Sequence, residues 1–274
     1  MITVKMHKPK FSVIIPTYNR EVLVCNAINS VLNQSFEDFE IIIIDDGSTD
    51  NTFSLVKGYH EKRIIYAYKQ NGGQNTANNV ALRLARGEYI AFLDSDDIWT
   101  KDKLEKTYEK YQSDPELGVV YNYTGMNENG KTILVRDDKL EGWCYKEVLS
   151  QGYLTSPSFL SCKRSCFDII GEFDEDQQAC QDDDLCFRLS KHFKIGLIKE
   201  ILGVYGATAE NQITKNRKRC ADYYLRLLEK YKEEIIRECG IEMMKRKYTR
   251  AKRLYNEINE IKMVENIDKR IETL

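Results

Sequence analysis

The sequence predicts an α/β protein, with a mostly parallel sheet flanked by helices and a C-terminal α-helical extension. Three observations predict it. Strand-period and helix-period segments alternate through the first hundred residues, the pattern of parallel strands joined by crossover helices. The apolar runs Val13-Ile14-Ile15 and Ile41-Ile42-Ile43-Ile44 have strand length and no polar face, as expected of strands covered on both sides. From about Asn211 the chain turns to Lys, Arg, Glu and long apolar residues, with one Gly and no Pro, a helix-forming composition.

Phe11 to Ile15 reads as a first strand ending at Pro16, and Arg20 to Asn33 as a helix carrying Val24, Ile28, Val31 and Leu32 on one face. Glu40 to Ile44 is a second strand, closed by Asp45-Asp46-Gly47-Ser48. Asp50 to Lys57 forms a short helix, Ile64 to Tyr68 a third strand, and Gln74 to Arg86 a helix stopped by Gly87. Tyr89 to Leu93 is a fourth strand, closed by Asp94-Ser95-Asp96-Asp97. Beyond it the spacing predicts a helix over Lys103 to Gln112 and a strand over Val119 to Tyr123. A turn at Asn129-Gly130 would return Thr132 to Val135 as a hairpin partner.

Residues 137 to 163 read as irregular. A helix over Gln181 to Lys191 and two short strands, Ile195 to Ile198 and Leu202 to Tyr205, complete a domain of residues 1–210. Residues 211–274 form the helical extension, in which Ile241, Met244, Tyr248, Ala251, Tyr255 and Ile258 step by three and four. That stripe is expected to pack on the preceding domain, with dimerisation or membrane contact as the other uses open to it.

The 41 basic and 43 acidic residues give a net charge of −2, against a nucleic-acid partner, which would call for a basic excess. No apolar run approaches membrane-spanning length. Lys5, Lys8 and Lys10 precede no apolar segment of signal-peptide length. The expected location is cytoplasmic, with peripheral contact at the cytoplasmic face open to a tail that carries 17 basic and 11 acidic residues between 214 and 274. The eight cysteines form no Cys-x-x-Cys pair, and His7, His60 and His192 are scattered. Structural zinc is therefore not expected, and the cysteines read as reduced packing residues.

Open parallel sheets bind ligands at the carboxyl ends of their strands, where Asp45-Asp46 and Asp94 to Asp97 both fall. Carboxylates on alternate residues of a turn suit Mg²⁺ or Mn²⁺ with positions left open for phosphate. A calcium loop is excluded, because Ile98 and Trp99 stand where it needs an oxygen ligand and Gly. An aromatic such as Tyr18 beside a carboxylate such as Asp46 suits a nucleobase, one stacking and the other accepting a base N–H.

Three stretches taken together, Ser12 to Arg20 (Ser-Val-Ile-Ile-Pro-Thr-Tyr-Asn-Arg), Ile44 to Asp50 and Gly87 to Asp97, resemble the family-2 glycosyltransferases. The resemblance runs from Phe11 to about Tyr205 and implies the Rossmann-like GT-A fold, with a nucleotide-binding half over about 11–100 and an acceptor-binding half over about 101–210. It implies inverting transfer of one sugar from a nucleotide-diphosphate donor, with a uridine carrier expected, to a hydroxyl of a glycan or lipid-linked acceptor. Pro16, Thr17, Tyr18 and Asn19 would line the base pocket and Asp46 would hold the base edge. Gly73, Asn78, Asp94 and Ser95 would complete the donor site. Asp96, assisted by Asp94, would hold the Mn²⁺ or Mg²⁺. Gln181-Asp182-Asp183-Asp184-Leu185-Cys186-Phe187-Arg188-Leu189 matches the family's acidic motif, making Asp182 the general base that takes the acceptor's proton.

The chain departs from the family pattern at three places. Gln181 stands where Glu is common, Asn78 where Arg is usual, and Tyr205-Gly206-Ala207-Thr208 has no metal-binding His. These departures support the alternative of a catalytically weak sugar-nucleotide-binding or assembly protein of the same fold. A processive synthase is not expected, since Trp99 and Trp143 are the only tryptophans and neither lies in a Gln-x-x-Arg-Trp motif.

Overall fold

The structure, a computed structural model, describes residues 8–128, 131–136, 139–152, 154–206 and 215–274. Four parallel strands form its first half: β1 (Phe11–Thr17), β2 (Phe39–Asp45), β3 (Ile64–Tyr68) and β4 (Tyr89–Phe92). They are joined by α1 (Glu21–Leu32), α2 (Thr52–Lys57) and α3 (Gln74–Leu84). Pro16 fits in β1 because pairing with β4 runs only from Phe11↔Tyr89 to Ile14↔Phe92, so its missing N–H falls past that ladder.

The second half is mixed. It comprises β5 (Ile98–Trp99), α4 (Lys103–Ser113), β6 (Leu117–Glu128), β7 (Lys131–Arg136), α5 (Tyr145–Gln151), β8 (Leu160–Lys163), α6 (Cys166–Ile170), α7 (Gln181–His192) and β9 (Lys194–Tyr205). The sheet order is β3-β2-β1-β4-β8-β6-β9-β5, with β7 paired to β6. β8 therefore lies antiparallel between β4 and β6 and joins the two halves.

Two readings of this half need correction. The segment 137–163, read as irregular, contains α5 and β8; Leu160-Ser161-Cys162-Lys163 is too short to show a period yet sits mid-sheet. The two strands expected over 195–205 are one, β9, whose register with β6 shifts near the exposed Lys199 and Glu200. The hairpin β6–β7 is present, while Asn129-Gly130 lies outside the described residues.

Alternation along β1 sends Phe11, Val13 and Ile15 to one face, against Val24, Ile28 and Val31 of α1. Ile14 points to the other face, which holds Ala77 and Ala81 of α3. This second core continues into the C-terminal helices α8 (Arg217–Cys239), α9 (Ile241–Asn256) and α10 (Ile261–Glu272). Met244, Tyr248, Ala251 and Tyr255 of the predicted stripe are buried there, while Ile241 is exposed. Tyr248 and Tyr255 turn their hydroxyls to Glu229 and Asp222 of α8. Among the described residues no helix is long and apolar enough to cross a membrane.

Candidate functional site

The carboxyl ends of β1, β2 and β4 meet at one rim. The Asp46 amide donates to the Thr17 carbonyl at 2.8 Å, joining the first two ends. Asn19, in a left-handed conformation at φ 50°, donates its amide to Ser48 and accepts from the Thr49 amide. Tyr18 beside it is 41% exposed, so its ring face is open. Asp45 serves the fold: its carboxylate accepts from the Ser48 amide and the Tyr66 hydroxyl.

Asp46 is 4% exposed and its oxygens are engaged within the chain. One accepts from Lys69 Nζ at 2.5 Å and the Gly72 amide at 3.0 Å, the other from the Gly73 amide at 2.7 Å. Gly73, at φ 93°, turns the backbone into α3 in a conformation that side-chain-bearing residues rarely adopt. Asp46 thus holds the loop over which a donor would lie.

The Asp94–Asp97 turn is fixed from beneath. The Asp94 amide donates to Ser158 Oγ at 2.9 Å, while the Trp99 indole N–H donates to the Ser158 carbonyl at 2.7 Å. Asp97 accepts the Gly206 amide at 3.0 Å. A Cβ at Gly206 would stand 1.6 Å from the Asp96 carbonyl oxygen, so only glycine lets the end of β9 close on the turn.

Arg20 pairs with Asp96 at 2.7 Å. Burial, then repulsion from Asp97 and Asp96, pushes the Asp94 carboxyl well above its ordinary value. Burial raises Asp97 to about 7. Crowded carboxylates whose charge is this costly form an oxygen donor set that suits a hard divalent cation. Among the described residues no three His, Cys, Asp or Glu side chains converge as a complete metal cage. Ala207 and Thr208, part of the stretch read as lacking a histidine ligand, lie outside the described residues.

Asp182 enters the same rim from α7. The loop before α7 is tied to α3: Asn75 Nδ2 donates to the Asp174 and Gln177 carbonyls, and Asn79 exchanges bonds with Phe173. Cys180, at φ 54°, then starts the helix. Gln181 Nε2 donates to Gln74 Oε1 at 3.0 Å, and Gln74 Nε2 donates to Asp94 Oδ1 at 2.6 Å. This chain links the helix bearing Asp182 to the acidic turn.

Burial raises the Asp182 pKa, and its charge adds to the repulsion on Asp94. Asp183 is raised well above its ordinary value by burial and then by Asp182, with Arg250 and Lys247 acting the other way. Asp184 is locked, accepting from Lys230, the Tyr231 hydroxyl and Arg188.

The structure therefore brings Pro16, Thr17, Tyr18, Asn19, Asp46, Gly73, Asp94, Ser95, Asp96 and Asp182 to one rim. Asn78 is only 2% exposed within α3, with its Oδ1 unpartnered. Sequence reasoning missed Arg20, Lys69, Gln74, Ser158 and Gly206. Arg20 closes the stretch Ser12 to Arg20 and Gln74 follows Gly73, but neither was given a role. Ser158 carried no signal.

The sequence profile described as glycosyl transferase family 2 matches residues 12–163. An uncharacterized glycosyltransferase of Methanocaldococcus jannaschii is 30% identical over 211 residues, covering 73% of this chain and 72% of that protein. Relatives from Rickettsia felis, Rickettsia conorii and Nostoc are longer, and the chain spans 21%, 26% and 39% of their lengths. Among solved structures, residues 1–349 of Staphylococcus aureus TarS in complex with UDP superpose with a TM-score of 0.63 at 20% identity, covering 96% of this chain and 91% of that one. A mannosyltransferase of Pyrobaculum calidifontis, solved with GDP-Man and Mn²⁺, superposes with a TM-score of 0.60 at 16% identity, covering 97% and 84%. Both likenesses show the fold.

Proposed function

The chain belongs to glycosyl transferase family 2, and from that premise we propose that it moves a single sugar from a nucleotide-diphosphate donor to an acceptor hydroxyl with inversion. The observation that carries this reading is the shared rim of Asp182 and the acidic turn, joined through Gln181, Gln74 and Asp94. A carboxylate there can take the acceptor's proton as its oxygen attacks the anomeric carbon, and a pKa raised by burial makes it a better base. Tyr18 with Pro16, Thr17 and Asn19 would face the base, over the loop that Asp46 secures through Gly73.

A uridine carrier is supported by the UDP and UDP-GlcNAc complexes of the fold relative TarS. The residues present fit a divalent metal: Asp96 and Asp94 would hold Mn²⁺ or Mg²⁺, the ion that accompanies GDP-Man in the archaeal fold relative being Mn²⁺. When bound, such an ion neutralises charge developing on the leaving diphosphate. Arg20 already offsets that crowding at Asp96. The acceptor would be a hydroxyl of a glycan or of a lipid-linked acceptor.

The second reading, a weakly catalytic sugar-nucleotide-binding protein, draws on the Arg20–Asp96 pair and on buried Asn78, which leaves no cation where the family has one. Donor hydrolysis and transfer with Mn²⁺, in wild type, Asp182→Asn and Asp96→Asn, separate the two. The enzyme reading expects Asp182→Asn to bind UDP normally and lose about 10²–10⁴ in rate. Unchanged turnover in that variant would remove Asp182 from the role of base.

A further inference from the structure

Arg20 stands between the base pocket and the acidic turn, with its backbone clamped on both sides. Before it, the Asn19 amide donates to Ser48 Oγ at 2.8 Å and Asn19 Oδ1 accepts from the Thr49 amide at 2.8 Å. After it, the Glu21 amide donates to Asp50 Oδ2 at 3.1 Å and Glu21 Oε2 accepts from the Asn51 amide at 2.8 Å. The Arg20 carbonyl takes the Val24 amide at 2.9 Å and opens α1. The backbone is thus tied to the loop after β2, while the Arg20 side chain reaches the turn after β4. There its guanidinium pairs with Asp96 Oδ1 at 2.7 Å, the two side chains only 17% and 12% exposed. Water and salt screen so sheltered a pair little.

That pair occupies an oxygen of the residue assigned above to the metal. A guanidinium and a divalent cation on one carboxylate repel one another, so Asp96 serves one of them at a time. Lys69, the basic residue beside Gly72 and Gly73, cannot take the place of Arg20. An ammonium has three N–H groups, and those of Lys69 go to Asp46 at 2.5 Å, the Gln70 carbonyl at 2.7 Å and Thr76 Oγ1 at 2.8 Å. Asn78 brings no charge and is buried within α3. Of the three, Arg20 alone is paired with a group that ligand binding claims.

We propose that Arg20 is an exchanging cation, which neutralises Asp96 while the donor site is empty, then releases Asp96 to a divalent ion and passes to the donor's diphosphate. The inference rests on the transferase reading above and adds a donor-binding residue to it. Arginine suits this exchange because its planar fork matches carboxylate and phosphate oxygens alike. No covalent bond changes: Asp96 trades one cation for another, and the diphosphate gains the guanidinium. Metal binding alone breaks the Arg20–Asp96 pair and offers the guanidinium no new anion. Metal binding together with the diphosphate offers one. Arg20 therefore couples the two ligands, so that the site resists the free ion and accepts it with the donor, and the coupling acts equally on both affinities.

The test is binding to the full chain: Mn²⁺ alone, followed by electron paramagnetic resonance of the free ion, and UDP or uridine in saturating Mn²⁺, followed by calorimetry. In Arg20→Met, Mn²⁺ alone should bind about tenfold tighter than in wild type, and UDP about tenfold or more weaker. Uridine, which has no phosphate, should bind both proteins within about twofold and so reports an intact base pocket. Arg20→Lys keeps the charge without the fork; it should hold Mn²⁺ alone as weakly as wild type and recover only part of the UDP affinity. Mn²⁺ alone binding no tighter in Arg20→Met would make the pair a fixed strut for Asp96, and unchanged UDP affinity would deny the transfer to diphosphate; either result overturns the proposal. Should Arg20→Met lose uridine as well, Arg20→Lys decides, and UDP affinity equal to wild type there overturns it. A wild-type chain that binds no UDP in Mn²⁺ would instead sink the transferase reading, so the two failures are distinguishable.

Discussion

Replacing Lys103 by Met is expected to stabilise the protein at low pH and destabilise it at high pH. Lys103 opens α4, is 1% exposed, donates to Asn122 Oδ1 at 2.7 Å and lies 5.0 Å from the centroid of the Trp99 ring. Burial lowers its pKa from 10.5 to about 7. Between those values the unfolded chain holds a proton that the folded chain lacks, so this group's contribution grows as pH rises and is lost as pH falls through about 7. Across the whole window the shift corresponds to at most about 5 kcal/mol, at ~1.36 kcal/mol per unit.

Met fills a similar volume without charge, but it leaves the Asn122 oxygen without its donor, at about 1–3 kcal/mol. The variant should therefore be about 2–4 kcal/mol more stable than wild type at pH 6 and about 1–3 kcal/mol less stable near pH 10.5. Urea unfolding of both proteins at the two pH values measures the difference directly. Equal destabilisation at both would refute the account of Lys103 as a costly buried charge.

Gln74→Leu cuts the chain from Gln181 to Asp94, and a lost bond to a carboxylate is worth about 1.5–3 kcal/mol. Transfer kcat/KM should fall about 10- to 100-fold with UDP affinity within about threefold, because the loss acts on base placement. Gly206→Ala forces the Asp94–Asp97 turn from the end of β9, given the 1.6 Å approach to Asp96. It should abolish transfer and weaken UDP binding while far-UV circular dichroism stays that of the native fold. Asp184→Asn removes the charge and one of the two acceptor oxygens that Lys230, Tyr231 and Arg188 share, and sets an amide NH2 against the remaining donors. Urea unfolding should show a loss of about 3–5 kcal/mol.

The first four strands were legible because each is an unbroken apolar run closed by a polar turn, and such runs need no tertiary help to be recognised. The acidic turn and Asp182 were legible as clusters of like charge. β8 was not: its four residues, Leu-Ser-Cys-Lys, become a strand only because β4 and β6 leave a gap between them. β5 escaped for the same reason, as two residues that pair with β9. Within the site, Ser158 and Gly206 are small residues whose roles come from what approaches them, 64 residues from Asp94 and 109 from Asp97. Asn75 and Asn79, residues of low helix propensity, bond the loop that precedes α7 from within α3, a contact no sequence pattern announces.

Three consecutive aspartates at the start of α7 look redundant if the helix dipole is their only purpose. Successive helical positions are rotated by about 100°, so the three carboxylates face three different surroundings. Asp184 turns to α8, where Lys230 and Tyr231 hold it along with Arg188 of its own helix. Asp183 turns to the cations of α9, which ease a charge that burial resists. Among the described residues Asp182 has no cationic partner; backbone amides of its own turn bond its carboxylate, and its charge raises Asp94. The helical extension thus engages the second and third members and leaves the first without a cation. A carboxylate without a cation, its pKa raised by burial and its helix held by its two neighbours, suits a general base. With Asp182 in its proposed role, the tail and the base depend on one another, and loosening α8 from α7 should cost catalysis before it costs the fold.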